Sequence, residues 1–598
     1  MARRRRSVSN AEVARALREM ALFLEMDGVA FKPRAYEKAA QVVAGLDRPL
    51  AQIDEEAGAA GLEALPEIGA GIAERIEELL HSGRLQELEA LRRERPIDVL
   101  ELIAVEGLGA KRALALYDAL GIRNVRELER ACRAGRVREV PGFGAKSEAR
   151  LLESVGFVAG SRGRQLLGTV LPLARELEAR LAALPGVRHA AVAGSIRRGR
   201  ETIGDLDFVV VAREPARITE AFATMPEVVR VYGRGETKAL VRLEAGIDAD
   251  LRAVHEASFG AALVYFTGSK AHNVELRRIA QKAGLKLNEY GLFRGRERIA
   301  GRSEEDVYDA LGLAWIAPEL REARGEIEAA REGRLPRLIE YGALRGDLQI
   351  QTDWSDGSAS IEEMAGAARK LGLEYIAITD HTRDLAMTGG SDEARLLEQA
   401  QEIARINRKL RGFRILSGAE VNIRADGSLD IADDVLAQLD VVGAAIHSAF
   451  RQSREDATRR VLRAMRNPHV DILFHPTARL LGRREPVALD IDAVVRAAVE
   501  TGTVLEIDAQ PERLDLKDEF VRKAVDAGAK LAIDSDAHHP GQLGWADTLG
   551  IAVARRGWAR REDVVNAQPL ADCRALLKDG RAARSRRKRA ARRRRRPA

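Results

Sequence analysis

Two aspartates separated by one residue carry the strongest chemical signal in the chain. Asp205 and Asp207 open an apolar run that predicts a β-strand. The two-residue period of a strand places both carboxylates on one face, close enough to share metal ions. Shortly upstream, Gly194 and Ser195 begin a turn with Arg198, where backbone N–H groups and a guanidinium could hold phosphate oxygens. Carboxylates that hold Mg²⁺ beside a triphosphate perform nucleotidyl transfer, and the pattern predicts that chemistry.

A third carboxylate follows on a second predicted strand. Residues 240–243 and 247–252 predict two strands that meet at Gly246. The second strand offers Asp250 to the same metal site. Asp248 points to the same face by its spacing, and the sequence leaves open whether it is a ligand or only another polar position.

Composition limits the class of protein. A chain of 598 residues exceeds one hydrophobic core and predicts three to five domains. Its two cysteines, far apart, give neither a disulfide framework nor a Cys-based zinc site, which fits a reducing cytoplasm. No apolar run approaches a membrane span, and no signal peptide is expected.

The net charge of +6 is concentrated at the two ends. Arg3–Arg6 contribute +4 and the tail from Arg581 contributes +11, so the body between them is mildly acidic. Such runs are usually disordered and solvated, and here they could also add sequence-independent attraction to nucleic acid.

Residues 7–160 predict short helices joined by glycine turns. Ser9–Glu12 predicts a capping box that opens an amphipathic helix. A hydrophobic residue, a Gly-x-Gly turn and a new helix then recur three times. One copy is more typical of an ordinary helical hairpin. Three copies instead resemble helix-hairpin-helix elements, which hold the DNA backbone without reading bases. The glycines expected at the DNA are Gly69, Gly71, Gly107, Gly109, Gly142 and Gly144.

The remaining segments predict two different patterns. Residues 259–317 predict helices with a Gly-Leu-Phe turn, and 318–345 predict a charged helical linker. From Gly346, apolar strands end in polar clusters and alternate with helices, which is the rhythm of a (β/α) barrel with its site at the carboxyl ends of the strands. Repeated acids and histidines at those ends predict a multi-metal site.

Together these motifs resemble the bacterial family X DNA polymerases with an appended PHP domain. The resemblance rests on the signature from Gly194 to Asp207 and on Asp250-Leu251-Arg252. Further motifs support it: Tyr265-Phe266-Thr267-Gly268-Ser269, Lys286 to Phe293, Thr379-Asp380-His381 and His475-Pro476-Thr477.

The resemblance implies a multidomain fold with helical helix-hairpin-helix domains, an α/β nucleotidyltransferase palm with a thumb, and a (β/α)7-like PHP barrel. The expected boundaries are 1–90 for a lyase-like DNA-binding domain, 91–160 for a helix-hairpin-helix subdomain, 161–262 for the palm, 263–317 for the thumb, 318–345 for the linker, 346–578 for the PHP domain and 579–598 for a basic disordered tail.

The implied activity is DNA-directed gap filling in DNA repair. Asp205 and Asp207 would bridge two Mg²⁺ ions, with Asp250 on the catalytic ion beside the primer 3′-OH. The residues implied at the nucleotide are Gly194, Ser195, Arg198 and Gly204 at the triphosphate, Tyr265, Phe266 and Gly268 near the sugar, and Asn273 and Arg277 along the base and template minor groove.

The PHP half departs from its family at the first metal-binding motif. PHP domains usually open with His-x-His, whereas Gln349 and Gln351 stand at these positions. Amides are poorer ligands than imidazole for Mn²⁺ or Zn²⁺, so one of three metals would lose two ligands and the 3′–5′ exonuclease is expected to be impaired. The remaining ligands at matching positions are Asp356, His381, Glu420, His447, His475, Asp536 and His538.

A second departure concerns the lyase activity of some relatives. Arg75 stands where those relatives carry the Schiff-base lysine. Arginine stays protonated and cannot act as that nucleophile, so weak or absent deoxyribose phosphate lyase activity is expected.

We therefore expect a monomeric, cytoplasmic and nucleoid-associated polymerase that binds gapped or primer-template DNA and dNTPs. Two alternatives stay open: a nucleotidyltransferase acting on another substrate, and a DNA-end-binding scaffold with vestigial PHP chemistry. The hairpins and the Tyr-Phe-Thr-Gly-Ser motif disfavour the first, and the intact acidic triad disfavours the second for the polymerase half.

Overall fold

A computed structural model of the chain describes residues 8, 10–44, 46, 48–103, 105, 107–160, 164–385 and 388–578. The predicted basic tail, the arginines of the first six residues and Ser9 of the expected capping box lie outside the described residues. Within those ranges, no helix combines the length and apolarity that a bilayer crossing requires.

Helices joined by short turns build the described part of the N-terminal region. They are α1 (Asn10–Met26), α2 (Lys32–Ala44), α3 (Leu50–Glu63), α4 (Ala70–Ser82), α5 (Gln86–Glu94), α6 (Val99–Ile103), α7 (Ala110–Leu120), α8 (Val125–Arg133) and α9 (Ala145–Gly160). Val13, Leu17 and Met20 lie buried on one face of α1, as their helical spacing predicts. The buried residues of this region form one apolar core of their own.

The palm is a five-stranded sheet in the order β2-β4-β7-β6-β5. Its elements are β1 (Gln165–Leu166), α10 (Leu167–Ala182), β2 (Val187–Val192), α11 (Gly194–Arg197), β3 (Thr202–Ile203), β4 (Asp205–Ala212), α12 (Pro215–Ala223), β5 (Val228–Arg234), β6 (Lys238–Leu243) and β7 (Asp248–Val254). The predicted hairpin of β6 and β7 is confirmed, and β7 also pairs in parallel with β4.

The thumb combines helices with a small antiparallel sheet. Its elements are α13 (Phe259–Thr267), α14 (Lys270–Lys282), β8 (Lys286–Asn288), β9 (Gly291–Arg294), β10 (Glu297–Ala300), α15 (Glu304–Ala310) and α16 (Glu326–Arg331). The expected Gly-Leu-Phe turn is wrong because Gly291–Arg294 forms the central strand of this sheet and buries Leu292.

The expected linker is largely folded onto the thumb. Leu320, Ile327 and Ala330 are buried in a cluster with Val264 and Tyr308 of the thumb. In α16, Ile327, Ala329 and Ala330 are buried together with Glu326, whereas Glu328 and Arg331 are exposed. The linker expectation is therefore corrected.

The C-terminal region is a parallel seven-stranded barrel whose strands follow chain order. Its elements are β11 (Gly346–Asp347), α17 (Ile361–Lys370), β12 (Tyr375–Ile378), α18 (Glu393–Asn407), β13 (Arg414–Asn422), α19 (Asp433–Leu436), β14 (Val441–Ala445), α20 (Arg454–Met465), β15 (Ile472–Leu473), α21 (Ile491–Thr501), β16 (Val504–Asp508), α22 (Asp518–Ala527), β17 (Leu531–Asp534), α23 (Ile551–Arg556) and α24 (Leu570–Leu576). An Ile350–Ala537 bridge brings the first and last strands together and nearly closes the barrel. The predicted (β/α)7 rhythm is confirmed.

Short helical turns complete the chain. The 3-10 turns are Val137–Glu139, Glu256–Ser258, Pro318–Leu320, Pro540–Gln542, Arg561–Asp563 and Val565–Ala567, and a π-helical turn at Ala546–Gly550 leads into α23.

The palm packs directly on the barrel. One cluster of buried apolar residues runs from the palm sheet and α10 into the barrel helices. Gly168 of α10 lies so close to Pro511 and Leu549 that a Cβ there would approach the proline Cβ to 2.7 Å. A 2.5 Å ion pair between Arg479 and Glu201 adds a polar contact. The two halves share an apolar interior.

A buried ion-pair network fixes the turn before β3 to the thumb. The carboxylate of Glu304 accepts two hydrogen bonds from Arg197 and two from Arg321, at 2.7–3.1 Å. Arg321 is fully buried. Burial alone would raise the pKa of Glu304, but the two arginines lower it from 4.5 to about 2.

Glu304→Gln is expected to lower the free energy of unfolding by about 3 kcal/mol, because it leaves the Arg321 charge buried without its counter-ion. Urea denaturation followed by fluorescence measures this loss. The pKa of Glu304 is depressed on folding, so its stabilisation is complete above pH 4.5 and is lost as pH falls towards 2. The difference between wild type and variant should narrow over that window. Exposed Glu305→Gln, on the same helix, is the matched control and should change little.

Candidate active sites

Three carboxylates meet where β4 and β7 run side by side. The parallel register places Asp205 opposite Asp248 and Asp207 opposite Asp250. One oxygen of Asp250 accepts from Arg252 at 3.0 Å, while its Oδ1 is buried and bonds no group in the described part of the chain. Asp248 is paired with Arg242 at 2.9 Å. The structure thus separates Asp250 from Asp248, which spacing alone could not do.

The electrostatics of this cluster fit a divalent cation. Burial, followed by repulsion from Asp205 and Asp250, raises the pKa of Asp207 from 3.8 to about 7. Repulsion between neighbouring carboxylates falls away when a cation lies among them. The crowding and the unpartnered Asp250 oxygen are what a Mg²⁺ site requires of its ligands.

The turn before β4 is built around a missing side chain. Gly194 has a φ of +64°, and any Cβ on it would collide with the carboxylate of Asp207. Next to it, the Ser195 hydroxyl is buried and bonds no other group of the described chain. The turn therefore presents a close backbone and a free hydroxyl to whatever lies over Asp207.

These groups open into a cleft of about 770 Å³. Its lining residues are Arg164, Gly194, Ser195, Arg198, Arg200, Asp205, Asp207, Tyr265, Phe266, Thr267, Gly268, Lys270, Asn273, Arg277 and Glu322. The sequence prediction therefore names many of its residues. Gly204 does not line the cleft; it faces the Arg164 guanidinium, at 3.0 Å from an added Cβ.

Four charged residues of the cleft escaped the sequence prediction: Arg164, Arg200, Lys270 and Glu322. For the three basic residues, the available signal was that basic side chains cluster around the recognised motifs in the sequence. Glu322 gave none, because its partner Arg198 is remote in sequence, at 3.1 Å in space. Burial, despite this carboxylate, lowers the pKa of Arg198.

The aromatic and amide side chains form one ordered wall. Tyr265 and Phe266 meet edge to face with ring centroids 5.1 Å apart. The Asn273 amide donates to the Tyr265 carbonyl at 2.7 Å, and Arg277 donates to the Asn273 carbonyl at 3.2 Å. Arg252 lies over the Phe266 ring, 5.4 Å from its centroid. This wall places the aromatic pair next to the carboxylates.

The three helical turns share one geometry. Gly69, Gly109 and Gly144 each immediately precede the helices α4, α7 and α9. The left-handed position two residues earlier is held by Gly107 and Gly142 in the second and third turns, with φ of +84° and +85°.

The first turn departs from the expected Gly-x-Gly form. Here Glu67 takes the left-handed position with φ of +60°, and Gly71 already lies inside α4. Sequence reasoning also omitted Lys111 and Lys146, which are exposed in the first turns of α7 and α9. Phosphate oxygens could meet both a lysine and backbone N–H groups there.

Arg75 has a structural role in the first hairpin region. Its guanidinium donates to Glu87 at 2.8 Å and to the Gly71 carbonyl at 2.8 Å. The residue therefore ties α4 to α5.

The barrel gathers a second set of ligands at the carboxyl ends of its strands. Ligand atoms of Asp356, His381 and His538 lie within 4.8 Å of one another, as do those of His381, Glu420 and His447. His475 lies 2.9 Å from Glu420 through Nε2, and Asp536 follows β17 with its Oδ1 buried and bonding no group of the described chain. The predicted barrel ligands are thus brought together, and their donor set fits Mn²⁺ or Zn²⁺.

Glu420 is the common centre of this set. Burial would raise the pKa of Glu420, but the neighbouring histidines His381, His447 and His475 lower it well below its usual value. His447 is oriented by a 2.7 Å hydrogen bond to Asn422, a residue that sequence reasoning missed. Such outer partners fix the ring orientation of a ligating histidine.

The two glutamines take the place of the expected histidines. Both side-chain amides donate to the same oxygen of Glu420, Gln349 at 3.1 Å and Gln351 at 2.7 Å. Two neutral donors therefore occupy a carboxylate oxygen that a cation would otherwise share.

Further buried charged residues lie against these ligands, and sequence reasoning missed Asp508 and Arg513 among them. Asp508 lies 3.3 Å from Arg513, which lies 3.8 Å from Asp536. Burial and the neighbouring Asp534 raise the pKa of Glu506 well above its usual value. These acids alternate with apolar residues in short strands. Ordinary polar strand ends show the same pattern, so the sequence does not reveal that these acids are buried.

Four family models match parts of the chain. The DNA polymerase beta thumb family matches residues 262–322, and the PHP domain family matches residues 347–484. The helix-hairpin-helix domain family matches residues 8–85, and the SAM-like helix-hairpin-helix tandem family matches residues 99–156.

Among curated proteins, the DNA polymerase/3′-5′ exonuclease PolX of Bacillus subtilis (strain 168) is 39% identical over 572 residues, which cover 95% of this chain and 99% of the relative. A probable phosphatase of Thermoanaerobacter sp. (strain X514) is 32% identical over 190 residues, 30% of this chain and 73% of the relative. The chain belongs to the family X DNA polymerases of the form that carries a PHP domain. The predicted family and enzyme class are confirmed.

Gly194→Ala is expected to lower gap-filling turnover by about 100-fold, because the added methyl displaces the Asp207 carboxylate. Primer extension on gapped DNA measures it. Gly186→Ala is the matched control: Gly186 also has a positive φ, of +86°, but has no atom near its added Cβ within 4 Å. Both variants share the backbone strain, so equal losses in the two would contradict the steric explanation.

Proposed function

We propose that this chain fills short gaps in DNA during repair by nucleotidyl transfer in the cleft of the palm and thumb. The observation that carries the proposal is the register of β4 and β7, which sets Asp250 beside Asp207. Asp207 lines a cleft that also holds an unpartnered serine hydroxyl and an arginine.

Asp205, Asp207 and Asp250 would hold two Mg²⁺ ions. When bound, Mg²⁺ lowers the pKa of the primer hydroxyl and neutralises charge on the pyrophosphate that leaves. The chain's own groups supply the rest. Ser195 and Arg198 would donate to triphosphate oxygens, and Gly194 leaves the room that the Asp207 carboxylate needs.

The aromatic wall would set the position of the nucleotide. Tyr265 and Phe266 would lie against the sugar beside Gly268, while Asn273 and Arg277 would lie along the base and the template minor groove. Gly204 would not bond the triphosphate directly, because it lies outside the cleft and packs against Arg164, which lines the cleft.

DNA would be held by the three helical turns. Their helix starts present backbone N–H groups, and Lys111 and Lys146 add positive charge, so contacts would be made to phosphates and not to bases. These phosphate contacts favour DNA over a small molecule as the second substrate. A DNA-end-binding scaffold without catalytic activity would not explain the crowded carboxylates of Asp205, Asp207 and Asp250.

Asp250→Ala is expected to lower gap-filling activity by at least about 100-fold, because it removes a ligand and leaves the primer hydroxyl without its metal. Asp248→Ala, two residues earlier on β7, removes a carboxylate that is paired with Arg242 and should retain most activity. Single-nucleotide incorporation on gapped DNA with Mg²⁺ measures both. Near wild-type turnover in Asp250→Ala would refute the assignment of this residue.

For the barrel we infer a phosphoesterase site that holds fewer metals than its family and has reduced 3′–5′ exonuclease activity. The ligand clusters at His381 support metal binding, and the amide bonds of Gln349 and Gln351 to Glu420 support the loss of one metal.

Replacing both glutamines by histidine is expected to increase bound Mn²⁺ and Mn²⁺-dependent degradation of a DNA 3′ end, because imidazole supplies the missing ligands. Metal analysis after dialysis and a 5′-labelled primer assay without dNTPs measure the two effects. The matched double variant to asparagine keeps the amides and should gain neither. Equal metal content in all three proteins would count against this explanation.

A further inference from the structure

The phosphate-binding turn of the palm lies directly on helix α23 of the barrel. A Cβ on Gly199 would lie 3.1 Å from the Ala552 methyl. Beside it, Arg556 at the end of α23 donates to the Arg198 backbone carbonyl at 2.8 Å. A residue of the C-terminal domain thus contacts the backbone of a residue that lines the nucleotide cleft.

Glu322 is shared between two arginines from different domains. Its Oε1 accepts from Arg198 at 3.1 Å and from Arg556 at 3.0 Å. Glu322 and Arg198 both line the cleft, whereas the side chain of Arg556 is 2% exposed. Arg556 is itself anchored at 2.6 Å to Asp518 of the barrel.

This sharing matters because a triphosphate and Glu322 compete for the same guanidinium. Arg198 donates to Glu322 through Nε and to the Thr267 carbonyl through Nη1, so a turn of its guanidinium towards a phosphate oxygen weakens the bond to Glu322. A carboxylate that is 12% exposed is costly to leave without a cation. Arg556 is already in place to keep that carboxylate paired.

We propose that Arg556 is a positioning residue for the polymerase reaction: it holds Glu322 when Arg198 turns to the incoming triphosphate, and so the C-terminal domain sets the affinity of the palm for nucleotide. The inference rests on the proposed gap-filling function. It assigns the PHP half a role in synthesis that is separate from its own metal site.

Steady-state gap filling with varied dNTP tests the proposal. Arg556→Ala should raise KM for dNTP about tenfold with kcat changed less than about twofold, because Glu322 then keeps Arg198 as its close partner, with only Arg200 at 3.9 Å besides. Adding Glu322→Gln should abolish this rise and bring KM to the value of Glu322→Gln alone, several-fold below wild type, since a neutral amide no longer retains Arg198. A merely structural role of Arg556 predicts no such rescue.

Two interface arginines serve as controls. Arg324 also pairs with Asp518, at 3.1 Å, and Arg555 pairs with Glu319 at 2.7 Å. Arg324→Ala and Arg555→Ala should leave KM unchanged. An unchanged KM in folded Arg556→Ala, a rise that persists with Glu322→Gln, or the same rise in either control would overturn the inference.

If Arg556→Ala does not fold, Glu322→Gln alone decides. Its KM for dNTP should fall several-fold because Arg198 loses its competitor, and an unchanged or higher KM would overturn the inference. A wild-type protein without gap-filling activity would instead refute the proposed function itself.

Discussion

Repulsion between carboxylates on neighbouring strands is the constraint around which the polymerase half is arranged. The parallel pairing of β4 and β7 sets Asp207 beside Asp250. Burial, together with repulsion from Asp205 and Asp250, raises the pKa of Asp207 to about 7. A glycine beside the pair keeps space open. Arg252 bonds one oxygen of Asp250, and Arg198 is paired with Glu322. Stability has been given up locally for an arrangement that a divalent cation completes.

The barrel deals with a comparable problem by a different chemistry. Glu420 is fully buried, yet imidazoles and two amides surround it, and its pKa lies well below the usual value. Protein donors therefore supply part of the stabilisation that metals supply elsewhere. Crowded carboxylates without other partners bind a metal ion more strongly than carboxylates that already accept hydrogen bonds from amides.

Most of the architecture could be predicted from the sequence because its signals are local. Alternating aspartates, repeated glycine turns and polar strand ends each depend on spacing within a few residues. The departures arose where long-range packing decided the outcome. Gly291–Arg294 forms a strand because Leu292 is buried in an apolar core. The expected linker is folded because Ile327 packs in an apolar cluster of the thumb.

The same division holds for the sites. Motifs identified many of the residues that line the cleft, but not Glu322, whose position near Arg198 depends on the docking of remote segments. Spacing could not separate Asp250 from Asp248, since only the cross-strand partner Arg242 distinguishes them. Arg556 of the barrel, which donates to Glu322 of the cleft, belongs to no motif in the sequence.

The apolar cluster that runs from α10 into the barrel has a consequence for what counts as a module in this chain. Family signatures divide the sequence into a polymerase and a nuclease, each with its own chemistry. The packing shows no such boundary, because Gly168 of the palm helix α10 lies in close contact with Pro511 and Leu549 of the barrel. Cutting the chain at the family boundary would therefore expose apolar surface on both halves, so neither half is a self-contained folding unit.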